Sequence, residues 1–180
     1  MKKSLFITST LALVLAACAS SGPTISSDAR TAPGVKFKDF ETYNFIQPLG
    51  TDWSDSRSSM SSMLMNSMMR ELSDLGLRRS DESPDILVDF IVVAEDMPDI
   101  SETPEASTIR HAHWKQGYSI WPGYQTTARQ YSRGTLIVYL VDSANSTLVA
   151  EGSAEISVQG RQFSQSECDQ FIHKIVKDIW

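Results

Sequence analysis

Several residues in this chain have types or spacings that could do chemistry. His111 and His113 would share one face of an extended segment, as metal ligands can, and Glu102 or Glu105 could complete a site. No third His or Cys stands at a ligand-like spacing nearby, so the simpler reading is two solvated loop histidines; His173 falls on the polar side of a later helical pattern, facing solvent. Met60, Met63, Met65, Met68 and Met69 offer soft thioethers of the kind that bind Cu(I). On a helical wheel Met63 lies far from Met65, while Met60, Met65 and Met68 sit among leucines, which favours adaptable core packing with a Met63/Met69 fringe. Asp89 is the one carboxylate inside an apolar run and therefore the one most open to burial and a shifted pKa, unless an edge position or a local hydrogen bond accounts for it. Gly152-Ser153 lacks the Gly-x-Ser-x-Gly frame and the strand-to-helix turn of a nucleophile elbow. There is no phosphate-cradling glycine loop, so no cofactor is expected, and the chain is read as not an enzyme.

Two cysteines carry different signals. Cys168 occupies a core position of the last helical stripe, where a thiol behaves as a small hydrophobe, buried and inert. Cys18 follows Leu15-Ala16-Ala17 at the end of an apolar run from Leu5 to Ala17, itself preceded by Lys2 and Lys3. That run is 13 residues long, too short for a helix across a bilayer of roughly 30 Å, so residues 1–17 read as a secretory signal peptide. The Leu-Ala-Ala-Cys ending resembles the bacterial lipobox, in which small residues admit the signal peptidase and the Cys thiol takes a diacylglycerol thioether. Cleavage there leaves 163 residues with 14 basic and 22 acidic side chains. Anchoring then falls to the acyl chains, two or more of which hold stably at about 0.8 kcal/mol per buried CH₂. Cys168 becomes the one free thiol, so no intramolecular disulfide forms. Ala19, not Asp, follows Cys18; by resemblance to enterobacterial lipoproteins this implies export to the outer membrane, on the periplasmic side.

The full chain has 180 residues and a formal net charge of -6, with a pI near 5.0. The acidic balance excludes a basic nucleic-acid footprint, and a hydrophobic content of 41% fits one globular domain.

The elements that must position these residues follow from the same pattern. Residues 18–34 are small, polar and punctuated by Pro and Gly, an acylated Cys with a flexible tether of roughly 20 to 24 Å reach. Residues 35–180 form the domain. Thr42 to Ile46 reads as a strand, Ser56 to Leu75 as an amphipathic helix stopped by Gly76, and Ile86 to Ala94 as a strand apolar on both faces. Gly134 to Val141 and Leu148 to Val158 read as a hairpin around Asp142-Ser143-Ala144-Asn145-Ser146. Ser164-Gln165-Ser166-Glu167 is a capping box, followed by Cys168, Phe171, Ile172, Ile175, Val176 and Ile179 at helical spacing. The expected fold is α+β: a mainly antiparallel sheet of about four strands with two amphipathic helices on one face, in the order β-α-β-long loop-β-β-α. The long loop, residues 95–133, opens acidic and turns aromatic; Trp114, Tyr118, Trp121 and Tyr124 form the candidate binding surface, because such rings are enriched at recognition sites. Rings folded back onto the sheet are the alternative.

Phe40-Glu41-Thr42-Tyr43-Asn44-Phe45, Leu72 to Gly76, Pro84 to Val88, Gly134 to Val138 and Leu148 to Ala154 occur in an order that resembles the bacterial lipoproteins grouped as domain of unknown function 4136. The resemblance runs from about Val35 onward and implies an α+β fold and an envelope location, with no established activity. Tyr139 stands where that pattern usually has Asp, and Ala150 where it usually has Trp. The function expected is that of a non-catalytic binding or interaction module of the cell envelope, held to the membrane by N-terminal acyl chains, with an envelope protein as partner. A carrier of a small apolar or lipid-like ligand is the alternative, and an envelope hydrolase built around Asp89 a third reading.

Overall fold

The computed structural model describes residues 25–52, 56–93, 134–156 and 163–180. Its elements are β1 (Ser27–Thr31), a 3-10 turn (Phe37–Asp39), β2 (Thr42–Phe45), α1 (Ser59–Asp74), β3 (Arg78–Arg79), β4 (Ile86–Val93), β5 (Thr135–Asp142), β6 (Thr147–Glu155) and α2 (Gln165–Ile179). They form one six-stranded sheet in the order β1-β6-β5-β4-β2-β3. The α+β class is as expected, but the sheet is larger and mixed. β1, β6, β5 and β4 pair antiparallel, while β2 runs parallel to both β4 and β3. The physical reason lies in α1: a strand that returns through a helix comes back in its original direction, and parallel pairing follows.

The two extra strands are the sheet's edges. β1 lies inside the stretch expected to be tether, pairing Ser27 with Ala154 through to Thr31 with Ala150. Its sequence, Ser-Asp-Ala-Arg-Thr, has no apolar alternation; its pairing with β6, with Ala29 packed against the core, makes it a strand. The tether reading of residues 18–34 is therefore corrected at its C-terminal half. β3 is two exposed arginines whose strand geometry comes from pairing with Thr42 and Tyr43. Asp85 fixes the start of β2 beside β4: its Oδ2 accepts from the Glu41 and Thr42 amides, each at 2.8 Å, and from the Thr42 hydroxyl at 2.9 Å. These donors, the Glu41 amide first, hold its carboxyl below the usual range.

The second helix starts and stops where its sequence directs, whereas the first begins at Ser59 and not at Ser56, because Ser58 takes the capping position. The Ser58 hydroxyl accepts from the Ser61 amide at the head of α1. At its tail Gly76, at φ 89°, closes a Schellman motif in which the Gly76 and Leu77 amides donate to the Ser73 and Leu72 carbonyls. In α2 both halves of the capping box form, Ser164 Oγ accepting from the Glu167 amide and Glu167 Oε2 from the Ser164 amide. The expected stripe of α2 is buried throughout, from Cys168 to Ile179. In α1, Leu64, Met65, Met68 and Leu72 are buried as expected, and Met60, Met63 and Met69 pack half-buried against the same core, so no exposed methionine fringe exists. Leu75, expected on that face, is instead 42% exposed. The helices run side by side and parallel, for Met63 meets Gln165, Ser67 meets Asp169 and Glu71 meets His173, always 102 residues apart. His173 is exposed, as expected, yet pairs with Glu71.

The sheet has two apolar faces. Phe45, Ile86, Val88, Phe90, Leu136, Val138 and Leu140 pack beneath the helices. The opposite face carries Ala32, Val93, Ile137, Tyr139, Val141 and Leu148. Both are buried, which is why β4 reads as apolar on every side.

Cys168 is 1% exposed. Burial first, then the Asp169 and Glu167 charges, pushes its thiol up to about 11. We expect a thiol reagent at pH 8 to leave the native protein unmodified over hours and to react at once after denaturation, because the thiolate is the nucleophile.

Candidate functional site

Asp89 sits in the middle of β4 on the face away from the helices, sharing parity with Leu87, Ile91 and Val93. The strand register carries a row of polar groups along that face: Asp89 faces Tyr139 on β5, Tyr139 faces Glu151 on β6, and Glu151 faces Arg30 on β1. Asp89 and Glu151 are essentially inaccessible to solvent, at 0% and 1% exposure. Glu151 and Tyr139 each have interaction partners of their own.

What surrounds Asp89 is set by where β2 stops. β2 pairs with β4 only as far as Val88, after which the Ile46 amide donates to the Val88 carbonyl and the chain turns away. The loop 47–52 then covers the exposed flank of β4. Gly50 comes so close that a Cβ there would lie 2.8 Å from both the Phe90 carbonyl oxygen and Ile91 Cγ1, and 3.1 Å from Asp89 Oδ2. Only glycine permits this approach. The Gly50 amide donates to Asp89 Oδ1 at 2.8 Å, so the carboxylate latches the loop to the sheet. Among the described residues Asp89 Oδ2 is buried without a hydrogen-bond partner. Burial above all pushes this carboxyl up to about 7, with the Gly50 and Phe90 amides pulling it down and the nearby Asp52 charge raising it further. Asp52 is engaged elsewhere: its oxygens accept from the Leu49 and Ser58 amides, tying the loop to the start of α1. Thr51 and Ser61 complete that tie through their hydroxyls, 2.7 Å apart.

Chemically, Asp89 is a buried carboxyl that holds or yields a proton near neutrality. The local hydrogen bond is present, and although β4 is an interior strand, Asp89 lies just past the end of its pairing with β2, where a loop and not a strand covers its flank. The sequence points to Asp89 and sets Tyr139 apart through the resemblance, but it gives no sign of Gly50 or Glu151 beside them. Gly50 is 39 residues away, and Glu151 looks like an ordinary outward position until the second face proves buried. Tyr139 stands across from Asp89 on β5, so this pair holds a single carboxyl. Among the described residues no group of three His, Cys, Asp or Glu could hold a metal.

The other candidates, Cys18 with Leu15, Ala16 and Ala17, the pair His111 and His113 with Glu102 and Glu105, and the surface Trp114, Tyr118, Trp121 and Tyr124, lie outside the described residues. The described residues do fix where the segment 94–133 departs and returns. The Gly134 amide donates to the Val93 carbonyl at 2.8 Å, so its two ends are adjacent.

The fold has solved relatives. A DUF4136 family protein from Bacteroides thetaiotaomicron matches with a TM-score of 0.64 at 12% identity, over 85% of this chain and 94% of that one. A PDZ domain protein from Parabacteroides distasonis matches with a TM-score of 0.51 at 11% identity, over 84% of this chain and 35% of that one. Identities this low speak to the fold alone. No curated protein matches the chain. The family model described as a domain of unknown function, DUF4136, covers residues 26–179, from β1 through the end of α2, and the chain belongs to that family.

Proposed function

We propose that the protein is a lipoprotein of the outer membrane, facing the periplasm, whose single domain acts without catalysis as a binding or interaction module of the cell envelope. The observation that carries this reading is Leu15-Ala16-Ala17-Cys18 at the end of a 13-residue apolar run, where an acylated Cys18 supplies an anchor that an acidic chain cannot obtain from anionic headgroups. No helix among the described residues is long and apolar enough to cross a membrane, consistent with lipid anchoring. Cys18→Ala is expected to move the protein from the membrane fraction to the soluble periplasm. Retention in the membrane would overturn the anchor.

A second reading, carriage of a small apolar ligand, is favoured by one feature: beside the polar row of Asp89, Tyr139, Glu151 and Arg30, the sheet face opposite the helices carries a buried apolar cluster, and the aromatic segment leaves and rejoins the fold at Val93 and Gly134. Native mass spectrometry of the protein purified gently from a periplasmic extract distinguishes the two. A reproducible adduct lost on changing Trp114, Trp121 and Tyr124 to Ala supports the carrier; a bare mass supports the interaction module.

A further inference from the structure

The largest exposed apolar side chains among the described residues are Leu75, at 42%, and Trp180, at 36%, and both stand at the C-terminal end of the helix pair. The constant offset between the parallel helices places Leu75, just past α1, level with Lys177 in the last turn of α2. Trp180 follows α2 and stacks on Phe37 with ring centroids 4.5 Å apart, and Phe37 in turn meets Phe40 at 6.2 Å. Lys36 and Lys38 stand on either side of Phe37, and Lys177 lies in the last turn of α2. Lys174, one turn earlier, is held by Asp178 at 2.9 Å, and Asp39 and Asp74 stand among these lysines, so charges of both signs ring the aromatic group.

The entry of the chain into the fold is at the same place. The Ser27 hydroxyl donates to Asp178, two residues before Trp180, so β1 begins beside the patch. Because β1 takes up residues 27–31, only nine peptide units separate Cys18 from Ser27. Fully extended they reach about 30 Å, and as a flexible coil roughly 15 to 18 Å. An acyl group on Cys18 therefore keeps this end of the domain within about 30 Å of the membrane it is inserted in.

We propose that the Leu75/Phe37/Trp180 end is a membrane-docking surface that rests on the lipid headgroups, rings and Leu75 entering the interface and Lys36, Lys38 and Lys177 reaching phosphate oxygens. Trp is suited to that depth, with an apolar body and a polar edge, and lysine stems bury along apolar surface while their charges stay wet. The proposal rests on the lipoprotein reading above. It deepens it by giving the domain one orientation, with α1 and α2 rising from the bilayer and their N-terminal ends outward.

The test uses the full acylated protein reconstituted in vesicles of phosphatidylethanolamine and phosphatidylglycerol, with a nitroxide on Leu75→Cys or, at the far end of α1 about 24 Å away, on Ser59→Cys. Both positions are exposed, and Cys168 is too buried to compete for the label. The expected result is a label at 75 several-fold more accessible to oxygen than to a water-soluble nickel chelate, with the reverse at 59, and loss of that contrast in Lys36→Glu/Lys38→Glu. Equal aqueous accessibility at both positions in protein that carries the acyl mass and floats with the vesicles overturns the surface and leaves the anchor standing. Spin–spin broadening at 75 means a second copy covers the patch and also overturns it. Absence of the acyl mass, with protein left in solution, removes the anchor and this surface together.

Discussion

Asp89→Asn is expected to flatten the dependence of stability on pH and to make the domain more stable than the parent at alkaline pH. A carboxyl that titrates near 7 in the fold and near 3.9 in the unfolded chain keeps its proton longer when folded. Between those two values the folded state binds the extra proton, so stability falls as pH rises from about 4 to about 7 and is flat beyond. The full loss is about 4 kcal/mol. Asn removes the charge and its Oδ1 still accepts from the Gly50 amide. Its amide nitrogen replaces the oxygen that has no partner, an unmet donor costing about 1–3 kcal/mol. The protonated Asp89 of the parent carries its own O–H at that same position, so the two proteins should be similar in stability at pH 4 and the variant should gain up to about 4 kcal/mol at pH 9. Asp85, Asp169 and Asp178, held below the usual range by their hydrogen bonds, impose the opposite trend in acid, where their stabilisation is lost. They do so in both proteins, so the difference between the two urea-denaturation series isolates Asp89. Parallel curves across pH 4 to 9 would mean that Asp89 carries no charge penalty in the fold.

That one carboxylate shows how unevenly the sequence discloses the molecule. α2 is legible because its signals are local: the cap, its glutamate and the apolar spacing all fall between Ser164 and Ile179. β4 is legible because a run apolar on both faces must be covered on both faces. Asp89 stands out for the same reason, as a charge inside that run. What stays hidden is long-range. β1 has no side-chain pattern and exists because the edge of β6 offers its amides and carbonyls. β3 has only two residues. Glu151 alternates with small residues as an outward position would, and its burial depends on what covers the second face. The direction of β2 is legible in principle, since a strand, a helix and a strand in that order favour parallel return. Thr42–Phe45 is too short to announce its own partner, and the hairpin later in the chain biases the whole sheet toward an antiparallel reading.

Gly152 gives the second large effect, and it accounts for a glycine-serine pair that carries no catalytic frame. β6 passes beneath α2 so closely that a Cβ at Gly152 would lie 2.4 Å from Ile175 Cγ2 and 3.0 Å from Ile179 Cδ1, well inside the roughly 3.5–4.0 Å of carbon contact. Ile175 is fully buried and Ile179 nearly so, so neither can swing into solvent without opening the core. The helix itself must lift. Gly152→Ala should cost about 1–3 kcal/mol, and Gly152→Val more, as overpacking displaces well-packed side chains. Lost backbone rigidity is not the cause, because glycine is the weaker strand former and either substitution would otherwise favour β6. A double-mutant cycle separates the two effects. Ile175→Ala alone should cost about 2–5 kcal/mol, but it removes the methyl that Gly152→Ala would strike. The double variant should therefore be about 1–2 kcal/mol more stable than the sum of the single costs predicts. Strict additivity in chemical denaturation would mean that α2 does not rest on Gly152. Some contact other than this close approach would then have to hold the last turn of that helix against Ser27 and bring Trp180 onto Phe37.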